Sequence, residues 1–299
     1  MVITALIVLY NPNIRLLENV VENIINEVES VILVDNGSIN LQDVSNLVEE
    51  QGWTNVQVIS MGFNSGIAAA QNMGMSVSFK SGADWVLTLD QDSVFPKEGL
   101  QVFQRSAAIR RKDTGIIAPA VFQEQNTYFS DEADTEEVQV ASVISSGNLV
   151  NLRAWKASGG FDEWLFIDNV DNDFCFKIQR IGFKVWKINS VVLKHRLGNK
   201  AYVSKVMATL LHINESDFVT DHSAQRQYYF YRNSIVMIRR YPEQRTYLQS
   251  AWKTQHLYRS LIFSIRRNLV YTHPISKLFM SVKGLVNGAF ISAKRLDNK

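Results

Sequence analysis

The chain has 299 residues, 46% of them apolar, with a mean hydropathy close to zero, enough to bury a sizeable core in one large domain or two. Its formal charge of +2 hides an asymmetry: residues 1–150 carry 7 Lys+Arg against 19 Asp+Glu, and residues 151–299 carry 24 against 10. The single cysteine, Cys175, excludes an internal disulfide and fits a reducing cytosol, and no run of about 18 apolar residues is present to span a membrane.

The opening ITALIVLY reads as a buried strand rather than a signal peptide, because it lacks a basic leader and runs into the turn signal Asn11-Pro12-Asn13. From Ile14 to Val28, apolar residues recur at helical spacing. A second strand, in VESVILVDNGS, ends at Asp35, and a helix is expected over Leu41–Glu50. NVQVIS (55–60) is a third strand, MGFNSGIAAAQNMGM a loop entering a small-residue helix, and ADWVLTLD a fourth strand. This alternation of strand and helix predicts βαβ units with a parallel sheet covered on both faces. Further on, a helix is expected over Pro96–Lys112, strands over residues 115–122, VASVISSGNLVN and KVWKINSVVLKH, and an exposed acidic loop over 123–137. The last third is basic and helical, and the composition shift near residue 195 marks the expected domain boundary: 1–195, then 196–299.

Ligands of an open parallel sheet bind outside the carboxyl ends of its strands. Asp35 ends the second strand, and Asp90 and Asp92 follow the fourth, so all three belong to one rim. Residues two apart in an extended segment point the same way. Asp90 and Asp92 therefore either share a hard cation such as Mg²⁺ or Mn²⁺ or form a solvated pair. A second acidic cluster, Asp168, Asp171 and Asp173, lies among Phe161, Trp164, Phe166, Phe174 and Phe176. It is either a general-base site partly desolvated by aromatic walls or an acidic helix start stabilised by the helix dipole. Gly159-Gly160 allows close backbone approach to a ligand or simply a turn, and His195, after a strand, is a metal ligand or a structural hydrogen-bonder.

Taken in order, LIVLYNP, VDNGS, NSGIAAAQN, LDQDS, SGGFDEWLFIDNVDNDFCFK, HRLG and HSAQRQYYFYRNS resemble the inverting family 2 glycosyltransferases of the GT-A fold, and among them bacterial rhamnosyltransferases of O-antigen and related surface polysaccharides. The likeness runs from about residue 3 to about residue 240. It implies an α/β GT-A core of mostly parallel sheet with flanking helices, followed by a helical C-terminal region. It also implies that Tyr10 and Asn11 lie against the nucleotide, that Asp35 binds the pyrimidine base, and that Asn64, Gly66, Gln71 and Asn72 line the nucleotide pocket. Asp90 then lies near ribose and metal, Asp92 and His195 ligate a divalent cation (Mg²⁺ or Mn²⁺), and Asp171 is the catalytic base. Gly160 is a candidate substrate contact, and Arg232, among Tyr228, Tyr229 and Tyr231, either meets acceptor sugar or pyrophosphate or stacks in a helical core. The implied donor is dTDP-β-L-rhamnose, and the implied acceptor a lipid-linked saccharide at the inner face of the cytoplasmic membrane. Lys177 and Asn172-Asp173 depart from the commoner pattern, which has Arg in the first place and an apolar-Glu pair in the second.

Two rivals fit parts of the sequence. Asp90-Gln91-Asp92-Ser93-Val94 also matches the haloacid-dehalogenase phosphatase signature, in which the first Asp is the nucleophile, although three strands precede it here. A non-catalytic, membrane-associated sugar-nucleotide binder would keep Asp35 and Asp92 without needing Asp171. In the basic third, Ile275, Leu278, Phe279, Val282, Leu285 and Val286 share helical spacing and are flanked by Lys277, Lys283, Lys294 and Arg295. Such a helix either lies in a membrane interface or packs on the rest of the protein or a second subunit. No recognition motif accompanies these charges, so nucleic acid is not an expected partner.

Overall fold

The computed structural model describes residues 1–122, 136–194, 200–201, 209, 219–292 and 295. It divides into two compact units, one of Met1–Phe166 with Val170–Arg196, the other of Ile167–Asn169 with Leu197–Lys299.

The first unit is built on an eight-stranded sheet. Its first half follows the sequence rhythm: β1 (Ile3–Leu9), α1 (Ile14–Ile24), β2 (Ser30–Asp35), α2 (Leu41–Glu50), β3 (Val56–Ser60), α3 (Ile67–Lys80) and β4 (Trp85–Asp90). These strands pair in parallel in the order β3-β2-β1-β4. Between helices on both faces, central strands must be apolar throughout; β1 and β4 accordingly bury nearly every residue. Leu17, Val20, Val21 and Ile24 of α1 fill the layer beneath.

Beyond β4 the sheet becomes mixed. The later elements are α4 (Gly99–Arg105), α5 (Ala107–Arg110), β5 (Thr114–Phe122), β6 (Glu137–Val140), β7 (Asn148–Asn151), α6 (Leu152–Ala157), α7 (Val170–Arg180) and β8 (Lys184–Lys194). β7 lies antiparallel between β4 and β5, β8 runs parallel to β5, and β6 pairs antiparallel at the edge. β5 and β8 slip register at Pro119, which has no N–H to give the ladder.

Three expectations need correction. The helix over 96–112 is two short helices, because Ser106 turns extended (φ −60°, ψ 157°) and its hydroxyl caps the second at the Ile109 amide. The strand over 140–151 is split: β6 ends at Val140, and residues 141–147 form a loop before β7. Residues 123–135 of the acidic loop lie outside the described residues, but Glu137 already pairs in β6 with Ile188.

The second unit holds a short antiparallel pair, β9 (Lys200–Ala201) with β10 (Val219–Thr220), and helices α8 (Ala224–Arg240), α9 (Arg245–Ala251), α10 (Leu257–Ser264) and α11 (Pro274–Ala289). Ser223 caps α8 through its hydroxyl. Tyr231, Ile235 and Leu261 form a small core with Trp252, Ile265 and Leu285.

Candidate active site

The rim of the parallel half is set by register. Leu9 at the end of β1 lies opposite Asp35, and Val8 lies opposite Asp90, so the two carboxylate-bearing residues end the strands on either side of β1. Asp35 is buried, and its carboxylate accepts the amides of Gly37 and Ser38 at 3.2 Å, folding the loop after β2 into an Asx-type turn. Gly37 is required there: its φ is +86°, and a Cβ would fall 2.6 Å from the Phe63 backbone. The adjoining loop is locked by side-chain amides. Asn64 Oδ1 accepts from Asn36 Nδ2 (3.1 Å) and from the Gly66 amide (3.0 Å), and Asn36 Oδ1 accepts the Ser65 amide (2.8 Å).

Across the rim, Asn11 holds the β1 and β2 loops together: its amide N–H donates to Ser38 Oγ (2.8 Å), and its Oδ1 accepts from Ile39 (2.9 Å). Gln91 clasps the Tyr10 main chain, accepting its N–H at 2.8 Å and donating to its carbonyl at 3.3 Å, while the Tyr10 ring stays half exposed. Asp90 and Asp92 do not share an extended segment. The strand ends at Asp90, and the Ser93 amide bonds back to the Asp90 carbonyl at 3.3 Å, so Asp92 belongs to a turn and is exposed while Asp90 is half buried.

The second acidic cluster starts α7. Asp171 and Asp173 occupy its first turn, where the helix dipole favours negative charge. Asp173 is fully buried, with Lys177 Nζ 3.7 Å away; the same ammonium donates to the Gly160 carbonyl at 2.6 Å. Lys177 and Asp173 are thus a packing device. Asp171 instead lines a slot of about 10 Å³, room for about one water, with Thr88, Ser145, Asn148, Phe161, Phe174 and Cys175. Thr88 is two residues before Asp90 on β4, so the slot brings the β4 end and Asp171 together. Burial pushes the Cys175 thiol up to about 12, so it is neutral and no nucleophile. The loop 141–147 links the two motifs: Ser146 Oγ accepts the Asp90 amide at 3.3 Å, and Ser142 Oγ donates to Asn172 Oδ1 at 2.6 Å.

Other candidates have structural duties. The Asn72 amide is filled inside the protein: Nδ2 donates to the Phe161 carbonyl (3.0 Å) and Glu163 (2.9 Å), while Oδ1 accepts from Trp155 Nε1 (3.0 Å) and the Phe161 amide (2.9 Å). That leaves it no capacity for a nucleotide. Gly160 (φ +78°) packs against the same amide, 2.7 Å from where a Cβ would sit. Gly66 (φ +87°) lets the start of α3 meet Phe166, whose carbonyl accepts the Ile67 amide at 2.8 Å. Gln71 is buried on α3. His195 lies outside the described residues.

Within the second unit, Arg232 is buried with its guanidinium 4.7 Å from the Tyr229 ring centroid and its Nε on Asn233 Oδ1 at 2.9 Å. Asn233 donates to the carbonyls of Ile167 and Asp168, both at 2.8 Å, and Arg226 grips the Asp168 carboxylate at 3.0–3.2 Å. Asp168 and Asn169 both hold positive φ, 62° and 63°, and so does Phe166 at 67°. Strained backbone of this kind persists only where its surroundings over-determine it. No periodicity signals it; Asn36, Gln91, Ser142, Ser146, Arg226 and Asn233 were also missed, because each acts through the main chain or a partner distant in sequence.

A carboxylate-rimmed nucleotide-type sheet with a second acidic helix start beside it is the layout of a GT-A glycosyltransferase. The signature described as "Glycosyl transferase family 2" matches residues 4–164, more than half of the chain, and the chain belongs to that family. It is 28% identical over 254 residues to the dTDP-rhamnosyl transferase RfbF of Shigella flexneri, covering 80% of each chain. Its fold is shared with the mannosyltransferase PcManGT of Pyrobaculum calidifontis, solved with GDP-Man and Mn²⁺ (TM-score 0.57, 16% identity, 99% of this chain and 87% of that one). It is shared too with GalNAc-T7, solved with UDP, GalNAc and Mn²⁺ (TM-score 0.56, 13% identity, 79% of this chain and 51% of that one). The chain is therefore a glycosyltransferase, which displaces the phosphatase and non-catalytic readings.

Proposed function

We propose that the protein transfers L-rhamnose from dTDP-β-L-rhamnose, with inversion, to a hydroxyl of a lipid-linked saccharide at the cytoplasmic membrane surface, as in O-antigen or related polysaccharide synthesis. The likeness to the dTDP-rhamnosyl transferase RfbF supports the donor. The observation that carries the chemistry is the slot shared by Asp171 and Thr88, which sets a carboxylate beside the β4 end that carries Asp90.

Asp90 and Asp92 offer hard carboxylate oxygens, a donor set that suits Mg²⁺ or Mn²⁺, and PcManGT and GalNAc-T7 were solved with Mn²⁺. Among the described residues no third His, Cys, Asp or Glu joins them, so Asp90 and Asp92 would hold the ion, with His195 the proposed further ligand. The cation would supply charge neutralisation of the leaving diphosphate.

The chain's own residues do the rest. The loops bearing Tyr10, Asn11, Asp35, Asn64 and Gly66 form a hydrogen-bonded frame for the nucleotide. Asp171 accepts the proton of the acceptor hydroxyl as that oxygen attacks the anomeric carbon. The bond to the β-phosphate oxygen breaks, and its electron pair leaves with the diphosphate. One displacement through an oxocarbenium-like transition state inverts the centre and yields an α-rhamnoside.

Replacing Asp171 by Asn tests the base. Transfer should fall by about 10²-fold or more while nucleotide binding persists. Transfer at the wild-type rate would remove Asp171 from this role. A panel of nucleotide sugars, with and without Mg²⁺ or Mn²⁺, tests the donor: preferential slow hydrolysis of dTDP-rhamnose is expected, and preference for a UDP- or GDP-sugar would overturn it.

A further inference from the structure

Helix α11 is built inside out. The residues it buries are Lys277, Ser281, Gly284 and Gly288, and the large apolar residues it exposes are Ile275, Phe279, Val282 and Val286, with Phe290 exposed just past its end. Ile275, Phe279 and Phe290 are 83%, 66% and 85% exposed, and the two valines 46% and 47%. A turn of 3.6 residues puts the two sets on opposite sides of the helix. The packed side is held by close backbone approach and polar contacts, together with Leu285, which joins the small core of Tyr231, Ile235 and Leu261. A Cβ on Gly284 would fall 2.4 Å from the Tyr228 carbonyl oxygen, and one on Gly288 would fall 2.7 Å from that of Arg232. Lys277 is buried in an ion pair with Asp221, and Ser281 accepts from Asn268 at 2.8 Å. Small residues at a helix contact with the large apolar ones turned outward are how helices pack where the outer solvent is lipid.

What covers the stripe is decided by charge. Residues 221–292 contain 11 Lys+Arg and two acids, Asp221 and Glu243; Lys277 is paired with Asp221 and Arg226 with Asp168, Arg232 and Arg240 are buried, and Arg245, Lys253, Arg259 and Lys283 are exposed. A second copy docked stripe to stripe would bring two such basic surfaces together, whereas an anionic leaflet is complementary to them. No helix among the described residues is long and apolar enough to cross a membrane. Along one flank of the stripe opens a cavity of about 550 Å³ lined by Gln225, Tyr228, Tyr229, Met280, Lys283 and Asn287. Asn287 Nδ2 donates to the Tyr228 hydroxyl at 2.9 Å, and Lys283 Nζ stands 6.0 Å from the Tyr228 ring centroid. Exposed Lys283 has no carboxylate partner among the described residues.

We infer that α11 lies flat on an anionic lipid surface, its apolar stripe among the acyl chains and the Lys283–Tyr228–Tyr229 cavity receiving a lipid headgroup phosphate. Aromatic rings and a lysine beside an apolar face suit the depth at which headgroup gives way to hydrocarbon. The inference deepens the reading of a membrane-borne acceptor, and it rests on that reading only for its purpose.

The test is co-sedimentation of the full chain with vesicles of phosphatidylglycerol or of phosphatidylcholine alone. Wild type should bind the anionic vesicles at least tenfold better, and F279S/V282S/V286S should lose at least tenfold of that binding with an unchanged circular dichroism spectrum. Lys283→Gln should weaken binding to the anionic vesicles alone and flatten its salt dependence. Triple-variant binding equal to wild type would overturn the inference. So would a triple variant that converts a dimer to a monomer in solution, which would give the stripe to a second copy. Donor hydrolysis on the same variants is the separating control: hydrolysis kept with vesicle binding lost supports the inference, whereas wild type binding vesicles without hydrolysing donor counts against the donor reading alone.

Discussion

Ser142 donates its hydroxyl proton to Asn172 Oδ1 at 2.6 Å, and this bond fastens the loop between β6 and β7 to the first turn of α7. Four residues along the same loop, Ser146 accepts the Asp90 amide. One short loop thereby references the proposed base, Asp171, to the carboxylate at the end of β4.

Removing that reference should slow transfer without weakening the nucleotide site. A hydrogen bond of this kind is worth about 1 kcal/mol, so Ser142→Ala is expected to lower the transfer rate by roughly fivefold. Initial-rate kinetics check it: kcat should fall while KM for the donor stays within twofold. An equal loss in binding would mean that the loop acts on the nucleotide instead.

Gly66 should resist substitution for a different reason. Its φ is +87°, and a Cβ there would come within 2.6–2.8 Å of Phe166, so alanine would be both strained and crowded. Gly66→Ala is expected to cost about 2 kcal/mol or more, seen as a drop of several degrees in thermal melting. Gly62→Ala is the control, with a positive φ of 76° but nothing within 4 Å.

Asp221 carries a pH prediction. Burial raises its pKa, but hydrogen bonds from Lys277 and Thr272 and the Lys277 charge outweigh that, and the net pKa is below the ordinary 3.8. Because the carboxyl binds its proton more weakly folded than unfolded, its contribution is complete above 3.8 and is lost as the pH falls through the lower folded value. Acid titration of the second unit, followed by tyrosine fluorescence, should show wild type losing stability as the pH falls from 3.8 to that lower value and Asp221→Asn showing no such step. At neutral pH the same variant leaves Lys277 buried without its carboxylate, at a cost of about 3 kcal/mol.

Asp92 separates the cation from the rest of the site. Asp92→Asn should reduce nucleotide affinity in Mg²⁺ or Mn²⁺ to the level that wild type shows in EDTA. Calorimetry with dTDP checks it, and a variant that still gains affinity on adding metal would exclude Asp92 as a ligand.

The apolar runs determined the parallel half of the sheet, because a strand covered on both faces must be apolar throughout and its length marks where it surfaces. Asp35 and Asp90 were legible for the same reason: each is the first charge after such a run. Helical spacing likewise grouped Ile275, Phe279, Val282 and Val286 on one face, but it put Leu285 with them, which instead packs on the core of Tyr231, Ile235 and Leu261, and it did not say which face packs. That depended on Gly284 and Gly288 approaching the backbone of α8, a contact with a segment some fifty residues away. The filled amide of Asn72, the turn that separates Asp92 from Asp90, and the clasp of Arg226 and Asn233 on Asp168 are of the same kind. Periodicity records what one element does with its neighbours in sequence. Hydrogen-bond saturation and close packing are set by partners that only the folded chain brings within reach.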